Sequence, residues 1–339
     1  MAMRWLRWAG ILLAAALALV TVPAGVLGQS RELVIYSGRG EPLIQPVVQA
    51  YRQRGGVNVV VRSGPAAQLA NAILEEGSSP RGDVFIANDA ATLEVLRLRG
   101  ALQAYLSERV RQIPAALRAG DGAWVGVSGR GRVIMYNTRL LAERDVPKSI
   151  FDLADPRWRG KVAVATTRNE SVVAHIAALR LLKGEDFTRS FLRRLKENQV
   201  RTLPGHTQVR QAVGKGEFPL GFVNHYYYHL ERQAGSPVAV VYPDQGTSGI
   251  GAMVNVAGAG IIKGARHLSE ARAFVDYLLS PTAQNLFART NFEYPLIPGV
   301  ATVAGVRPLD GFKWMPVSLD RIGAELDKTL RLIEDVGLD

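Results

Sequence analysis

The segment LVIYSGRG at residues 33–40 decides the fold class, because it is a short apolar run that stops at a glycine-rich turn. Apolar residues then recur on one helical face over 43–51, and VNVVV at 57–61 reads as the next strand. A second amphipathic helix over 66–74 leads to a third strand, DVFI, at 83–86. Strand, helix, strand, helix, strand predicts an α/β protein with a parallel sheet, which places its ligands at the carboxyl ends of strands.

Polar side chains stand at two of these strand ends. Arg39 follows the first strand, and Asn88 and Asp89 follow the third. We expect them to face a ligand-binding cleft. The alternative interpretation of Asn88 and Asp89 is a helix N-cap, since both residue types cap helices well.

The α/β pattern continues along the chain. Two strands at 124–127 and 133–136 are predicted to flank SGRGR at 128–132, where the glycines let the backbone approach a ligand and Arg130 and Arg132 supply charge. Further strands are predicted at 161–165, 238–242 and 251–256. A loop at 166–170 is followed by a helix to about 183, and further helices are predicted at 186–197 and 207–213. An amphipathic tail from Ser318 should pack on the surface.

The apolar run LGFV at 220–223 ends abruptly in NHYYYH at 224–229. A phenol titrates near ~10, so it becomes an anionic ligand at neutral pH only where a strong cation favours the phenolate. If a helix begins here, its positive end adds to that effect. Successive helical residues point in different directions, so at most two of the three rings converge. Two converging phenols could bind one ion, with Tyr228 packing; aromatic packing of all three rings is the alternative.

The N-terminus has the pattern of an export signal. A basic head and a short apolar stretch lead to small residues, which predicts a signal peptide over residues 1–28 with cleavage near Gly28-Gln29. No other segment of the sequence is long and apolar enough to predict a membrane span. We therefore expect a soluble, exported protein.

Charge and cysteine content narrow the function. The net charge of +11 includes Arg4 and Arg7, the only charged residues before Gln29, so 11 − 2 leaves +9 after cleavage. This excess favours anions or acidic surfaces. No run of five basic residues occurs, so nucleic acid is not expected as a partner. Zero cysteines exclude disulfides, thiolate metal sites and a cysteine nucleophile.

Several motifs in order resemble one known family. They are the strand ending in YSGR, QLAN ahead of EEG, DVF, SGRGRV, YN, NHYY and finally EYPL at 293–296. Together they are similar to the periplasmic ferric-iron-binding proteins, bacterial transferrin-like members of the type II substrate-binding proteins that serve ABC importers. The similarity covers nearly the whole mature chain.

The resemblance implies a two-lobed type II periplasmic binding protein fold, with hinge strands and an interlobe cleft. The first lobe would be residues 29–130 and 255–305, and the second 131–254 and 306–339. The protein would be a periplasmic monomer and not an enzyme. It would capture Fe(III) in the cleft, with a synergistic anion such as carbonate, and deliver the ion to an ABC transporter permease in the inner membrane.

The resemblance also assigns site residues. Tyr226 and Tyr227 match the paired phenolate ligands, and Tyr136 matches a third tyrosine ligand found in a subset of the family. Arg39 and Arg130 match anion- or cleft-facing arginines, Asn88 and Asp89 would line the cleft, and His206 falls where a polar residue often faces the anion. Gly40 and Asn88 replace a His and a Glu ligand that many members carry, which favours a site of tyrosines plus anion.

Three other interpretations stay open. The same fold could bind a small anion or organic solute, with the tyrosines as walls. His225 and His229 are four residues apart and would share a helical face able to hold a divalent metal. A dinucleotide-dependent enzyme is the third, from Gly38-Arg39-Gly40 after a strand, although Leu43 occupies the place of the third glycine.

Overall fold

The computed structural model describes residues 31–338. The predicted signal peptide at 1–28 and its cleavage near Gly28-Gln29 lie outside the described residues. Among residues 31–338, no helix combines the length and apolar character that a membrane crossing requires.

The strands are β1 (Glu32–Ser37), β2 (Asn58–Ser63), β3 (Val84–Ala87), β4 (Leu102–Gln103), β5 (Val125–Asn137), β6 (Val162–Ala165), β7 (Arg201–Leu203), β8 (Leu220–Asn224), β9 (Val238–Val241) and β10 (Val254–Ile262). The helices are α1 (Glu41–Arg52), α2 (Ala66–Glu76), α3 (Ala90–Leu98), α4 (Glu108–Gln112), α5 (Glu170–Lys183), α6 (Glu185–Glu197), α7 (His206–Lys215), α8 (His225–Gln233), α9 (Leu268–Leu278), α10 (Pro281–Asn291), α11 (Leu319–Ala324) and α12 (Leu326–Val336).

The strands form one sheet in the order β2-β1-β3-β10-β5-β8-β6-β7, with β4 beside β10 and β9 beside β5. Parallel pairs join β1 to β2 and β3, and β6 to β7 and β8, whereas β10 and β5 run antiparallel to their neighbours. The predicted α/β class with parallel strand pairs is confirmed.

Strand β5 pairs with strands in both halves of this sheet. Its residues Val125–Gly131 pair with β10, and from Arg132 onward it pairs with β8. We call β1, β2, β3, β10 and Val125–Gly131 the first half-sheet, and Arg132–Asn137 with β6, β7, β8 and β9 the second half-sheet. The change of partner falls between Gly131 and Arg132, in the middle of an unbroken strand.

The prediction of two strands flanking a separate SGRGR segment is wrong. Gly129 lies within the strand and exchanges two 2.8 Å backbone hydrogen bonds with Tyr294. A β-carbon on Gly129 would stand 3.2 Å from Cβ of Tyr294, and one on Gly131 would stand 3.3 Å from its hydroxyl oxygen. The glycines therefore admit Tyr294 against the strand; they do not break it.

Four strands of the sheet, β3, β6, β7 and β8, are each followed by a helix. In the first half-sheet, β3 ends at Ala87 and Asp89 caps α3 by accepting from Ala91 N–H at 2.8 Å. In the second half-sheet, β6, β7 and β8 lead into α5, α7 and α8. Each of those three is a parallel-paired strand whose carboxyl end points to the same edge of the sheet. The candidate site lies at this edge, as expected for such sheets.

The C-terminal tail is helical, as predicted, but it forms two helices. One of them, α11, packs on α3 and on α5, and the other, α12, packs on α5 and α6. A β-carbon on Gly323 of α11 would come within 2.4 Å of Cβ of Glu94 on α3, so the helices approach closely there. The tail therefore contacts helices that follow both half-sheets.

We predict that Gly251→Ala destabilises the protein strongly. Gly251 has φ +83°, and its added β-carbon would stand 2.6 Å from the backbone carbon of Trp314. Left-handed strain and overpacking together predict a loss of about 3 kcal/mol in the free energy of unfolding. Urea unfolding at neutral pH measures it.

Gly235→Ala is the matched control for this variant. Gly235 has φ +87° with nothing within 4 Å of the added carbon, so only the strain of about 1 kcal/mol applies. Equal losses in the two variants would contradict the close approach at Trp314.

Candidate functional site

Two tyrosines at the start of α8 stand side by side. Tyr226 is buried and Tyr227 is half-buried, and their ring centroids are 4.2 Å apart. Burial, and next the neighbouring Tyr227, raise the pKa of Tyr226 well above its ordinary value, while the charge of Arg130 opposes this rise. The Tyr226 phenol is therefore neutral in the empty site, and only a strong additional cation favours its ionised form.

Arg130 is the most unusual group beside these phenols. Its side chain is buried, yet Nε and both terminal nitrogens have no hydrogen-bond acceptor among residues 31–338. Asp89 Oδ2 lies 3.8 Å from one terminal nitrogen, which is an ion pair without a hydrogen bond. A buried charge with unsatisfied donors is costly unless a ligand supplies the acceptors. Arg130 is thus positioned to bind an anion.

Asp89 and Asn88 reach the site from the first half-sheet. Asp89 is fully buried, caps α3 and accepts a short hydrogen bond from Asn255 on β10. Burial raises the pKa of Asp89, and the Arg130 charge opposes the rise. Asn88 is half-buried, and its Oδ1 has no hydrogen-bond partner. The N-cap interpretation is correct for Asp89, which also faces Arg130.

His206, the first residue of α7, contributes a second unsatisfied donor. Its Nε2 lies 2.9 Å from Nη1 of Arg132 and 2.9 Å from Oγ of Ser171. Because Arg132 can only donate, Nε2 accepts and the ring proton sits on Nδ1. That nitrogen is buried and has no partner. Burial, then Arg132 and Arg130, hold the pKa of His206 well below its ordinary value, so the ring is neutral.

Arg132 supports this arrangement from the second half-sheet. Its guanidinium lies 4.2 Å from the centroid of the Phe222 ring. Burial lowers the pKa of Arg132 to about 9, with the two phenols of Tyr226 and Tyr227 opposing the change. Arg132 is therefore still charged at neutral pH, and it adds to the positive field around the phenols.

Glu170 is a site residue that the sequence did not reveal. It is the first residue of α5, immediately before Ser171, whose hydroxyl contacts His206. Burial, and next the carboxyl of Asp89, raise the pKa of Glu170 to about 7, while Arg130 opposes the rise. The sequence signal for a role of Glu170 was its position shortly after the predicted strand at 161–165, since ligands bind at the carboxyl ends of such strands.

Arg39, which was predicted to face an anion or the cleft, has both terminal guanidinium nitrogens bonded within the protein, while its Nε is buried without a partner among residues 31–338. Its Nη2 donates to both carboxylate oxygens of Glu293 at 2.9 and 2.8 Å, and its Nη1 donates to Ser128 Oγ at 3.0 Å. Both terminal nitrogens are thus satisfied within the first half-sheet and the 292–294 segment. The physical reason is the buried Glu293, whose charge also raises the pKa of Tyr226.

Tyr136 does not lie beside the tyrosine pair, so the structure does not bring the predicted third ligand together with Tyr226 and Tyr227. It lies six residues beyond Arg130 on β5, opposite Leu220 and Ala239. At about 3.3 Å per residue the two α-carbons are roughly 20 Å apart, far beyond the reach of a phenol. Burial, and then Glu143 and Tyr228, raise the pKa of Tyr136. It packs in the core of the second half-sheet.

The histidine pair on α8 is not a metal site. His225 has both ring nitrogens bonded, Nδ1 by Gly131 N–H and Nε2 by the carbonyl of Phe292. Residues 31–338 contain no group of three or more His, Asp or Glu side chains that could hold a metal. Tyr228, by contrast, packs as predicted, with its hydroxyl accepting from Arg232 at 2.9 Å.

These residues offer two kinds of group around Arg130, whose charge acts on Tyr226, Glu170 and His206. Hard oxygen atoms come from Tyr226, Tyr227 and Glu170, and unsatisfied donors come from Arg130 and from Nδ1 of His206. Oxygen ligands of this kind suit a hard cation. Unpaired guanidinium donors suit a small oxyanion. The geometry fits a cation and an anion bound next to each other.

The comparisons agree with this chemistry. Residues 33–293 match the family of bacterial extracellular solute-binding proteins, so the chain belongs to that family. Its members are solute-binding proteins, which confirms the prediction of a binding protein and rules against the dinucleotide-dependent enzyme.

Particular relatives are more specific. The chain is 30% identical to the major ferric iron-binding protein of Neisseria meningitidis, over 91% of this chain and 93% of that protein. Iron-bound HitA from Pseudomonas aeruginosa superposes with a TM-score of 0.84 at 29% identity, covering 91% and 99% of the two chains. FutA of Trichodesmium, in complex with iron and citrate, gives 0.81 at 28% identity over 91% and 100%. The resemblance to ferric-iron-binding proteins and the type II fold class are confirmed.

We predict that His175→Leu reduces the sensitivity of folding to acid. His175 is buried near Arg132 on the wall of a small apolar cavity, and burial lowers its pKa to about 3. A base whose pKa is lower in the folded state takes up a proton on unfolding. Its contribution is fully present above the ordinary value of 6.5 and is lost as the pH falls toward 3.

Removing this group should reduce the pH slope of unfolding by about 1.4 kcal/mol per pH unit between roughly pH 6 and pH 5. Urea unfolding of both proteins across that interval measures the slope. The same pH dependence in wild type and variant would mean that His175 is already protonated in the folded protein.

Proposed function

We propose that the protein captures ferric iron together with a small anion such as carbonate, in the periplasm, and delivers the ion to an ABC transporter permease. The observation that carries the proposal is the buried Arg130 guanidinium without acceptors beside two phenols. The names of the relatives, which include a ferric iron-binding protein and iron-bound structures, supply the identity of the cation.

The charges support a trivalent cation. In the proposed complex, Tyr226 and Tyr227 bind as phenolates and Glu170 as a carboxylate, so three negative oxygens offset the ferric charge. The ion overcomes the burial that raises the pKa of Tyr226 in the empty site. Because the ligands must lose protons to bind, affinity falls as the pH falls.

The anion would complete the site. Its oxygen atoms accept from the free nitrogens of Arg130 and from Nδ1–H of His206, which have no other partner. Asp89, whose Oδ2 lies 3.8 Å from a terminal nitrogen of Arg130, offsets part of the guanidinium charge when the anion is absent. Asn88 follows the carboxyl end of β3, and its Oδ1 is a further acceptor without a partner among the described residues. In this proposal Asn88 lines the cleft.

Capture would be coupled to closure of two lobes. In this proposal the first lobe, residues 29–130 and 255–305, carries Asp89 and Arg130, and the second lobe, 131–254 and 306–339, carries Glu170 and the tyrosines. A ligand that contacts both lobes stabilises the closed form by its differential affinity, and a permease can then distinguish loaded from empty protein. The protein acts as a monomer and makes or breaks no covalent bond.

The unsatisfied guanidinium of Arg130 also supports a second candidate function, the binding of a small anion or an anionic organic solute. With no cation present, Arg130 and Arg132 leave the site positive, and a small anion or anionic organic solute would satisfy the free donors by itself. The tyrosines would then be walls of the pocket. Such a binder stays colourless when ferric iron is added.

We predict that ferric citrate added to purified protein produces a phenolate-to-iron charge-transfer colour, stronger with bicarbonate than without it. Tyr226→Phe and Tyr227→Phe should each weaken ferric binding by about a hundredfold or more, beyond the 10–100-fold expected for outer-shell partners. Absorbance titration measures both effects.

Tyr136→Phe and Tyr228→Phe are the controls, since both rings are phenols placed away from the proposed ion. Each should keep the colour and the affinity of the wild type. Undiminished colour in the Tyr226→Phe, Tyr227→Phe double variant would remove these residues as ligands. Loss of colour in Tyr136→Phe would restore the ligand assignment that the strand geometry rejects.

We predict that Glu170→Gln, like the tyrosine variants, lowers ferric affinity by about a hundredfold or more, because one of three negative oxygens becomes neutral. This loss exceeds the 10–100-fold expected for outer-shell partners. Competition with a ferric chelator measures the affinity. Glu41→Gln is the control, as Glu41 is also the first residue of its helix but is exposed. If Glu170→Gln and Glu41→Gln both bind as tightly as the wild type, Glu170 is not a ligand.

A further inference from the structure

His225 lies where strand β5 changes its partner. Its side chain is completely buried. Nδ1 accepts a 3.2 Å hydrogen bond from the backbone N–H of Gly131, the last residue of β5 that pairs with β10. An imidazole from α8, in the second half-sheet, is therefore bonded to the backbone at the crossing point.

The other side of the His225 ring contacts residues 292–294. Since Nδ1 accepts, Nε2 carries the proton and donates to the carbonyl of Phe292 at 2.7 Å. The ring also stacks on Tyr294, with centroids 3.9 Å apart and planes 5° from parallel. Tyr294 is itself bonded to Gly129 of β5 through two backbone hydrogen bonds. Two directional bonds and one stack fix the position, orientation and tautomer of the imidazole.

The first turn of α8 has no ordinary side-chain cap. Asn224, the N-cap of α8, makes no side-chain hydrogen bond to the helix, and its Oδ1 is buried without a partner. The first turn of α8 is instead connected to β5 and to residues 292–294 through His225. Tyr226 is the next residue, so the direction of its phenol depends on how this turn is fixed.

We infer that His225 is a positioning residue for the Tyr226 phenol, fixing the first turn of α8 to Gly131 and Phe292 so that the phenol is aimed at the ion. The inference rests on the proposed ferric function. His225 touches no ion, since both of its ring nitrogens are already bonded. A metal site needs its ligands held within a narrow geometry, and outer partners commonly set it.

The test compares His225→Ala, His225→Asn and His225→Gln in the full-length mature protein. Asn keeps an acceptor near the place of Nδ1, and Gln keeps a donor near the place of Nε2. We expect His225→Ala to release iron to a chelator about tenfold faster or more, and to shift and weaken the ferric charge-transfer band per bound ion. The Asn and Gln variants should each recover part of the band.

His229→Ala is the matched control. His229 is one turn further along α8, is nearly as buried, and stacks on Phe292 without a hydrogen bond to the crossing strand or to residues 292–294. We expect it to lower thermal stability but to leave the position and strength of the band unchanged. Thermal unfolding of the empty proteins shows how much of each effect is general destabilisation.

The outcomes distinguish failure of the proposed ferric function from failure of the positioning role of His225. If the wild type shows no band with ferric iron, the proposed function fails. If the wild type shows the band and folded His225→Ala keeps its position, strength and release rate, the positioning role is overturned. A band altered equally by His229→Ala would also overturn it, since packing alone would then account for the effect.

Discussion

The site depends on a buried positive charge that the protein does not neutralise by hydrogen bonds. Arg130 is almost fully enclosed, and its closest carboxylate oxygen, on Asp89, is 3.8 Å away. Inside a protein such a group is costly, and its cost is recovered when a ligand supplies acceptors. The neighbouring phenol of Tyr226 resists ionisation for the same reason, since burial favours its neutral form. In the proposed complex, a cation and an anion bound together would relieve both penalties.

The backbone places these groups where they meet. Strand β5 carries Arg130 in the part that pairs with β10 and Arg132 in the part that pairs with β8. One strand therefore brings charge from both half-sheets to the edge where β6, β7 and β8 end. His225 and the 292–294 segment pack at the same crossing. Any movement between the two half-sheets must accommodate this point, so in the proposed function it is where ion capture would be coupled to closure.

Much of the fold follows from local sequence, whereas several contacts of the candidate site do not. The alternation of strands and helices was predictable, because hydrophobic periodicity is a local signal. The tyrosine pair and Arg130 were singled out by their resemblance to family motifs, and their roles in binding stay predictions. The roles of Arg39 and Glu170 were not predictable. Arg39 is satisfied by Glu293, which is 254 residues away in the sequence, and only the folded chain brings the two together. Glu170 becomes a site residue through burial near Asp89 and Arg130, an environment that spacing alone does not reveal.

A crystal structure of the protein grown with ferric iron and bicarbonate tests the central claim most directly. The account predicts iron bound by the phenol oxygens of Tyr226 and Tyr227, with an anion that contacts the ion and accepts hydrogen bonds from Arg130. Iron bound elsewhere, or bound at these phenols while Arg130 has no acceptor, would contradict it.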